Sequence, residues 1–252
     1  MSSRTLRDLM NLEGRVALVT GGGGHIGAEI VSSLAELGAT VAVSDRDGAV
    51  SFPADLSDEA AAKALPGRVF EEYGRLDILV NSAAFVGTTD LQGWTVPFAE
   101  QSPETWRQAF EVNLTSVFVL TQAAAPLLGA SGRGSIINIS SIYGMTGPDM
   151  RIYEGTGMGN PAAYGASKGG LLQLTRWLST VLAPTVRVNA VTPGGVLRGQ
   201  PEKFVGEYEK RVPLGRMATE EDIKGAVAYL ACDLSSYVTG QNLVVDGGWT
   251  AW

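Results

Sequence analysis

Two residues with complementary chemistry, Tyr164 and Lys168, stand four positions apart in a segment with a helical pattern. On an α-helix this spacing places both side chains on one face. A phenol has an ordinary pKa of about 10, which is too high for a general base at neutral pH, and a neighbouring ammonium group lowers it. The pair therefore predicts proton transfer by Tyr164, although the same spacing also occurs by chance on helix surfaces.

Two serines, Ser140 and Ser141, follow the apolar run Ser135–Ile139, which is typical of a buried strand. Successive side chains along a strand point to opposite faces, so the two hydroxyls meet different surroundings. The Ser141 hydroxyl can donate a hydrogen bond to a substrate carbonyl or alkoxide and hold it beside a phenol. We therefore expect a serine from this strand end to act together with Tyr164.

A glycine-rich turn connects the first apolar run, Arg15–Thr20, to a helical pattern. Glycine permits a tight turn and a close approach of the backbone to a pyrophosphate, and the N-terminus of the following helix supplies N–H donors. The turn thus predicts a dinucleotide site, with a merely flexible turn as the alternative. The predicted members of this site are Gly21, Gly24, His25, Ile26 and Gly27.

The second apolar run, Thr40–Ser44, is followed by an acidic and a basic residue, Asp45 and Arg46. A carboxylate at this position accepts hydrogen bonds from ribose hydroxyls and repels a 2′-phosphate, so Asp45 predicts NAD rather than NADP. Arg46 opposes this prediction, because a guanidinium pairs well with a phosphate. The alternative interpretation of Asp45 is a solvated turn residue.

Composition excludes several classes of function. The chain has 252 residues and a net charge of −7, from 19 basic and 26 acidic residues, which argues against nucleic acid or an anionic membrane as a partner. One Cys and one His exclude a disulfide framework and most metal sites, so we predict no metal. The N-terminus does not resemble a signal peptide, and no apolar stretch approaches a membrane span; we therefore expect a cytoplasmic protein.

Short apolar runs alternate with helical patterns along the whole chain. Besides the three runs above, Leu76–Val80, Val186–Val191 and Asn242–Val245 are nearly continuously apolar, as in parallel strands buried on both faces. This alternation predicts an α/β fold with a Rossmann-type doubly wound parallel sheet, in a single domain over residues 1–252 with a polar extension at 1–11. The helical patterns cover residues 26–37, 104–128 (ending near Pro126), 162–182 and a segment that Thr219 opens with Asp222 as its capping box.

The second crossover of this sheet is unusually short. The next strand-like piece after Asp45 is Val50–Ala54, which leaves only Arg46–Ala49 between them. A parallel crossover normally needs a dozen or more residues and a helix. We therefore predict a bare loop here, with no helix between Asp45 and Asp55.

Taken in order, these features resemble the short-chain dehydrogenase/reductase family over essentially the whole chain, from Leu12 to Gly248. The resemblance implies a sheet of about seven strands, a homo-oligomer (tetramer or dimer) and an NAD-dependent enzyme that interconverts a secondary alcohol and a ketone. In oxidation Tyr164 would remove the hydroxyl proton while the substrate carbon gives hydride to the nicotinamide. The matching motifs are the glycine turn, Asp45, Asp55-Leu56, Asn81-Ser82-Ala83-Ala84, Ser140-Ser141, Tyr164-x-x-x-Lys168 and Pro193-Gly194.

The resemblance also implies roles for individual residues. Ser141 is the catalytic serine, Lys168 beside Tyr164 holds the nicotinamide ribose, and Asn113 steadies a water that links Lys168 to solvent. For Asn113 a hydrogen bond to a backbone carbonyl is the alternative, and both can hold at once. The other implied cofactor contacts are Asp55 and Leu56 at the adenine, Asn81 and Ala83 beside the adenosine, and Pro193, Gly194 and Val196 beside the nicotinamide carboxamide.

Two departures from the family pattern concern single side chains. His25 stands where the family usually has glycine, and it is either a solvent-facing helix start or a polar contact near the phosphates. Arg198 stands where the family often has threonine, so a cation replaces the usual carboxamide contact. That cation lies near the substrate region, where it can bind an anionic group.

The segment between Ser141 and Tyr164 has 22 residues, more than is usual in the family, and its part 145–161 is predicted to lie beside the substrate. The sequence of this segment weakly resembles that of family members associated with surface-sugar biosynthesis, which predicts a hydroxylated substrate such as a sugar, polyol or activated sugar. The alternatives are a subunit-contact loop, a 3-oxoacyl thioester reductase, and a non-catalytic dinucleotide sensor or scaffold. The predicted substrate contacts are Ser141, Arg151, Tyr153, Glu154 and Arg198.

Overall fold

The computed structural model describes residues 3–252 and joins six parallel strands in one sheet. Their order across the sheet is β2-β1-β3-β4-β5-β6, so β2 lies on one side of β1 and all later strands are added on the other side. This is the doubly wound arrangement that the apolar runs predict. The strands are β1 (Val16–Thr20), β2 (Thr40–Ser44), β3 (Ile78–Asn81), β4 (Gly134–Ile139), β5 (Val186–Pro193) and β6 (Asn242–Val245).

Helices cover both faces of this sheet. Leu18, Leu79 and Ile136 of the strands pack with α3, α5 and α6 on one face, and Val19, Val80 and Ile137 pack with α2 and α8 on the other. Neighbouring strand residues thus face opposite helix layers, which explains why the strands are apolar without alternation. The helices are α1 (Leu6–Met10), α2 (His25–Glu36), α3 (Glu59–Tyr73), α4 (Pro103–Phe110), α5 (Ser116–Ala130), α6 (Ala162–Val181), α7 (Glu202–Glu209) and α8 (Glu221–Ala231).

The sheet has six regular strands in the described chain, rather than about seven. Residues 51–54 do run beside β2, and Phe52 N donates to Val43 O at 2.9 Å. The N–H of Val43, however, bonds to the side chain of Ser51, so the ladder there is not completed. Residues 46–54 contain no helix, which confirms the predicted loop between Asp45 and Asp55. Because residues 51–54 form no regular strand, the crossover from β2 to β3 extends further and contains α3.

α4 and α5 form one continuous helix over Pro103–Ala130, joined by a π-helical turn at Glu111–Thr115. The helix continues past Pro126, where the prediction ended it, because Ala124 and Leu128 are buried in the core on either side. The expectation that no apolar stretch approaches a membrane span was wrong, since this helix is long and apolar enough for one. Half of its most apolar window is buried inside the protein, as in a core helix.

The N-terminal extension and the start of α8 also differ in detail from the prediction. The extension 1–11 contains α1, and its Arg4 pairs with Asp233 at 2.6 Å; residues 1 and 2 lie outside the described part. α8 begins at Glu221, and the Asp222 carboxylate accepts from the N–H of Thr219 at 2.7 Å. That is one half of the predicted capping box.

Candidate active site

A cleft of ≈ 840 Å³ opens at the carboxyl ends of the strands. It brings together most of the residues that the sequence singles out, although they are spread over the whole chain. Because the parallel strands all end at this edge, each strand delivers its following residues to the same place. The predicted site residues that line the cleft are Gly21, Gly24, His25, Ile26, Gly27, Asp45, Arg46, Asp55, Leu56, Ala83, Ser141, Tyr153, Tyr164, Lys168, Pro193, Gly194, Val196 and Arg198.

The glycine turn after β1 has no room for side chains at two positions. Gly21 has a φ of +67°, and a Cβ there would lie 2.7 Å from the Cα of Ala83. A Cβ on Gly27 would overlap the carbonyl oxygen of Gly21. The backbone is therefore exposed to the cleft on one side and packed against itself on the other, which suits close contact with a pyrophosphate.

The N-terminus of α2 points its first N–H groups into this cleft without a side-chain cap. Its N-cap residue is Gly24, which makes no capping hydrogen bond, and His25 is an exposed first residue that lines the cleft. Uncapped N–H groups and the positive end of the helix dipole attract a phosphate. Both interpretations of His25, a solvent-facing helix start and a polar contact, remain compatible with this position.

Asp45 lies across the cleft from α2, at the end of β2. Its carboxylate accepts from Gly23 N at 3.1 Å and from Arg46 N at 2.7 Å. The guanidinium of Arg46 turns away to Asp47, with Nε 3.0 Å from Oδ2. Asp55 and Leu56 line the same end of the cleft. An open glycine cradle, a free helix end and an acidic acceptor together fit a dinucleotide.

Asn81 differs from its predicted place beside the adenosine. It is the last residue of β3, it is buried, and its Nδ2 donates to Asn138 Oδ1 at 2.8 Å beneath the cleft floor. Side chains alternate along a strand, so Asn81 faces the helix layer. Of the predicted pair at this strand end, the structure brings Ala83 alone to the cleft lining.

Ser141, Tyr164 and Lys168 meet where β4 ends beside α6. Ser140 turns the other way and donates to the carbonyl of Lys168 at 3.1 Å, so the two serines do have different surroundings. Lys168 Nζ lies 6.0 Å from the ring centre of Tyr164 and donates to Ile139 O at 2.8 Å. Both serines line the cleft, but it is the Ser141 hydroxyl that hydrogen-bonds with Tyr164.

The proton chemistry of the pair differs from the sequence-based expectation. Burial raises the pKa of Tyr164 above its ordinary value, against the opposing effects of a hydrogen bond with Ser141 and the charge of Arg198. Burial also lowers the pKa of Lys168 to about 8. We expected Lys168 to lower the pKa of Tyr164. In the protein without cofactor, the desolvation of the phenol by burial is larger than the effects that lower its pKa, so the pKa is raised.

Asn113 lies in the π-helical turn and does not line the cleft. Its Oδ1 accepts from Phe85 N at 2.7 Å, and its Nδ2 donates to Phe85 O and to Ser167 Oγ, each at 3.1 Å. The backbone-carbonyl interpretation is thus present in the structure. Through these bonds Asn113 connects the segment after β3 to α6, the helix that carries Tyr164 and Lys168.

Pro193 at the end of β5 and Gly194, Val196 and Arg198 after it all line the cleft. Arg198 is paired with Glu220, with Nε 3.0 Å from Oε1, so its charge is partly neutralised. Its remaining charge still acts on the reaction centre, since it is one of the groups that lower the pKa of Tyr164.

Of the three substrate contacts predicted in the loop 145–161, only Tyr153 lines the cleft. Tyr153 lines the cleft and is 8% exposed, whereas Glu154 is exposed and outside the lining. The Arg151 side chain is held by Asp149 at 2.8 Å and points to solvent. Sequence reasoning missed Tyr143, which lines the cleft two residues after Ser141. Its spacing of two from Ser141 was the available signal.

Comparisons with known proteins agree with this geometry. A family model described as "Enoyl-(Acyl carrier protein) reductase" matches residues 23–250. The chain is 35% identical to a cis-4-hydroxycyclohexanecarboxylate dehydrogenase from Sinomonas cyclohexanicum, over 94% of this chain and 97% of that protein. It is 33% identical to a 3-oxoacyl-(acyl-carrier-protein) reductase from Thermotoga maritima, over 95% of this chain and 99% of that protein.

Solved structures match over nearly the full length as well. A short-chain dehydrogenase from Leptospira borgpetersenii with bound NAD+ superimposes with a TM-score of 0.86 at 33% identity, covering 99% of this chain and 97% of that one. A gluconate 5-dehydrogenase from Burkholderia cenocepacia in complex with NADP and tartrate gives 0.86 at 30% identity, covering 98% and 100%. The chain belongs to the short-chain dehydrogenase/reductase family and is an NAD(P)-dependent oxidoreductase.

Proposed function

We propose that this protein interconverts a secondary alcohol and a ketone on a hydroxylated small molecule, with NAD as its cofactor. The observation that carries the proposal is the shared cleft: Ser141 and Tyr164 face the same space as the uncapped N-terminus of α2. Bound there, the cofactor supplies the nicotinamide ring that exchanges hydride with the substrate carbon.

Tyr164 is the proton-transfer residue in this proposal, and Ser141 holds the substrate oxygen. A phenol whose pKa is raised by burial is protonated at neutral pH, so it is ready to donate a proton to a carbonyl oxygen. In the opposite direction it must first give up a proton. Lys168 lies beside it with a pKa of about 8, which places its own protonation change near neutrality and suits it to pass that proton on.

The charges around Asp45 support NAD over NADP. Arg46, the residue that would accept a 2′-phosphate, is paired with Asp47, and the nearby carboxylates of Asp55 and Asp45 also act on it. A phosphate at this place would meet more negative than positive charge. The bound nucleotides of the two solved relatives differ from each other, so this preference rests on the charges of this chain.

The 3-oxoacyl thioester reductase is the second candidate function. It is favoured by the Thermotoga maritima relative and by the description of the matching family model. The family resemblance implies that this reductase group generally prefers NADP. The carboxylate of Asp45, expected beside the adenosine ribose, repels a 2′-phosphate and so disfavours NADP. Tyr143 and Tyr153 also bring hydroxyl groups into the cleft, which suits a hydroxylated substrate better.

Nicotinamide absorbance tests the proposal directly. The protein is assayed with NAD and NADP against sugars, polyols and hydroxy acids, and in reduction against a 3-oxoacyl thioester. We expect oxidation of a polyol or sugar with NAD, and a loss of about 10³-fold in kcat/KM for Tyr164→Phe with unchanged NADH affinity. Near-normal turnover by Tyr164→Phe, or tight NAD binding with no turnover on any substrate, would contradict the proposal.

We also propose a homo-oligomer, which exposed apolar side chains on the three helices α4, α5 and α6 support. Trp106 on α4, Phe118 on α5, and Trp177 and Val181 on α6 are each about half exposed. Such a patch is covered in most proteins by another surface, and identical faces pair symmetrically. Analytical ultracentrifugation measures the subunit number, and Trp177→Glu should shift it toward the monomer. We retain a cytoplasmic location as a prediction.

A further inference from the structure

Two phenols touch inside the cleft, beside the reaction centre. The hydroxyl oxygens of Tyr143 and Tyr153 lie 2.7 Å apart, and both residues line the cleft together with Ser141 and Tyr164. Tyr153 is almost wholly buried, and Tyr143 is partly buried. Neither hydroxyl has a part in the proton transfer described above, so the pair requires a separate explanation.

Counting protons shows what the pair can still do. Two phenols carry two O–H protons, and the hydrogen bond between them uses one, whichever residue donates it. One O–H is therefore left over. A donor at a largely buried position favours a partner, and an acceptor in the cleft can provide it.

The pair is close to the bond that would react. Tyr143 follows Ser141 by two residues, and its N–H donates to Ser141 Oγ at 3.2 Å. The Tyr153 hydroxyl contributes to raising the pKa of Tyr164, and the Tyr164 hydroxyl contributes in the same way for Tyr143. Tyr143, Tyr153 and Tyr164 all line the same cleft. An acceptor for the spare O–H would thus belong to the substrate itself.

A row of aromatic rings holds the pair in position. The ring of Tyr153 packs on Phe204 of α7 at 5.3 Å, Phe204 on Tyr208 at 5.9 Å, and Tyr208 stacks on Trp249 at 4.3 Å. The Tyr208 hydroxyl accepts from Gly195 N at 2.6 Å, which fastens the row to the end of β5. A donor fixed in this way loses little entropy when it binds an acceptor.

We propose that Tyr143 and Tyr153 are specificity-determining residues that bind a second oxygen of the substrate, close to the carbinol that reacts. The substrate class is then a diol, polyol or hydroxy ketone rather than a simple alcohol. This inference rests on the proposed function, because it assumes that the carbinol lies at Tyr164. A site built around a hydrogen bond rejects the analogue that lacks the partner group.

Matched probes test the pair. We would measure kcat/KM with NAD for cyclohexanol and for cyclohexane-1,2-diol and -1,3-diol, which differ only by one hydroxyl. The wild type should favour at least one diol over cyclohexanol by about tenfold or more, as expected for one well-placed hydrogen bond. Tyr143→Phe and Tyr153→Phe should each reduce that ratio to within about twofold. A wild type without preference, or a preference kept by both variants, would overturn the inference.

Tyr237→Phe serves as the control, since it removes a hydroxyl from a fully exposed tyrosine that does not line the cleft. It should affect cyclohexanol and the diols equally. If the wild type oxidises neither kind of probe, calorimetric titration into the protein–NADH complex decides the inference, and the assays with sugars, polyols and hydroxy acids decide the proposed function separately. Tighter binding of a diol than of cyclohexanol, lost in Tyr153→Phe, would support the pair; equal binding or none would refute it.

Discussion

The two ends of the cleft are made of different parts of the chain. The proposed cofactor end consists largely of backbone and short residues, Gly21 to Gly27 and Ala83, with the charged side chains Asp45, Arg46, Asp47 and Asp55 at its rim. The substrate end consists of large side chains, such as Tyr143 and Tyr153, fixed by helix α7. In the proposed function, the first end binds the cofactor through the shape and dipoles of the main chain, and the second binds the substrate through hydroxyl groups held in an aromatic cluster.

This difference teaches where changes in the chain should have their effects. A backbone cradle tolerates no added atoms, so a single methyl group there should weaken cofactor binding while leaving substrate choice alone. Isosteric substitutions in the aromatic cluster should leave the stability of the protein nearly unchanged but alter its substrate specificity. Lys168 lies where the two ends meet, since its ammonium is buried under Ile139 beside the Tyr164 ring.

The largest effect is expected for Gly27→Ala in the cradle. The new methyl group would overlap the carbonyl oxygen of Gly21, so the start of α2 must move away. We expect a loss of about 1–3 kcal/mol in the free energy of unfolding and of about 10- to 100-fold in NADH affinity. Urea denaturation and NADH fluorescence titration measure the two quantities.

Gly67→Ala is the matched control for that change. Gly67 is an exposed residue of α3, and a Cβ there would have nothing within 4 Å. Alanine should therefore stabilise the helix by up to about 1 kcal/mol and leave NADH affinity unchanged. If Gly27→Ala behaved like Gly67→Ala, the cradle would not be the tight contact described here.

The contrast between the two ends also explains what could be predicted from the sequence. The glycine turn, Asp45, Ser141, Tyr164 and Lys168 are local signals, because each follows directly from its strand or helix. Asn81 does not line the cleft, because its side chain faces the helix layer and donates to Asn138. The 15-residue helix α3 and the short helix α7 were not predicted either, and α7 packs against the substrate end.

Side-chain partners from distant parts of the chain were also beyond the sequence patterns. The sequence around Arg151 does not show that Asp149 pairs with Arg211, which lies 62 positions away. Nor does it show that Arg151 pairs with the same carboxylate and is exposed to solvent. Tyr143 was missed because the meaning of its hydroxyl depends on Tyr153, which only the folded loop brings to it. Pairs of this kind depend on tertiary packing and have no local signature.

Asp45→Ser should change cofactor choice by an intermediate amount. Removing the carboxylate removes its repulsion of a 2′-phosphate, while the Gly23 N–H keeps an acceptor in the serine hydroxyl. We expect the ratio of kcat/KM for NAD over NADP to fall about tenfold, measured on one substrate.

Asp47→Asn is the companion variant, since it releases Arg46 from its ion pair without altering Asp45. It should raise activity with NADP by a smaller factor, about two- to threefold. A ratio that stays constant in both variants would show that the ribose end of the cofactor does not lie at Asp45.

The pH dependence of stability tests the burial of Lys168, at the meeting point of the two ends. Its pKa falls from 10.5 to about 8 on folding, so between these values the unfolded chain binds more protons than the native protein. Stability from this group therefore rises with pH across that window, by about 1 kcal/mol per pH unit. Below pH 8 the cost of burying the charge is fully present.

Urea unfolding of the wild type and of Lys168→Met at pH 8.0, 8.5, 9.0 and 9.5 isolates this contribution. The wild type should gain on the variant as pH rises, because other titrating groups are common to both proteins. A difference that is flat over this range would mean that Lys168 is not desolvated in the folded protein.

The smallest effect is expected at the outer edge of the substrate end. Arg211 binds Asp149 at 2.9 Å and also pairs with Glu207, which joins the loop before Tyr153 to the end of α7. The hydrogen bonds from Arg151 and then Arg211 hold the pKa of Asp149 well below its usual range, so the carboxylate stays charged at neutral pH. Ion pairs this exposed contribute about 0–1 kcal/mol, so Arg211→Gln should raise the substrate KM about twofold without changing kcat or NADH affinity.

Arg151→Gln separates this positioning effect from direct substrate contact. Arg151 is 76% exposed at its side chain and shares the same carboxylate, so its loss should change KM less than the loss of Arg211. A much larger rise in KM for Arg151→Gln would instead mean that Arg151 reaches the bound substrate, as its sequence position suggested. The comparison of two arginines on one aspartate thus decides whether the substrate end is organised from within, through α7, or from the tip of its loop.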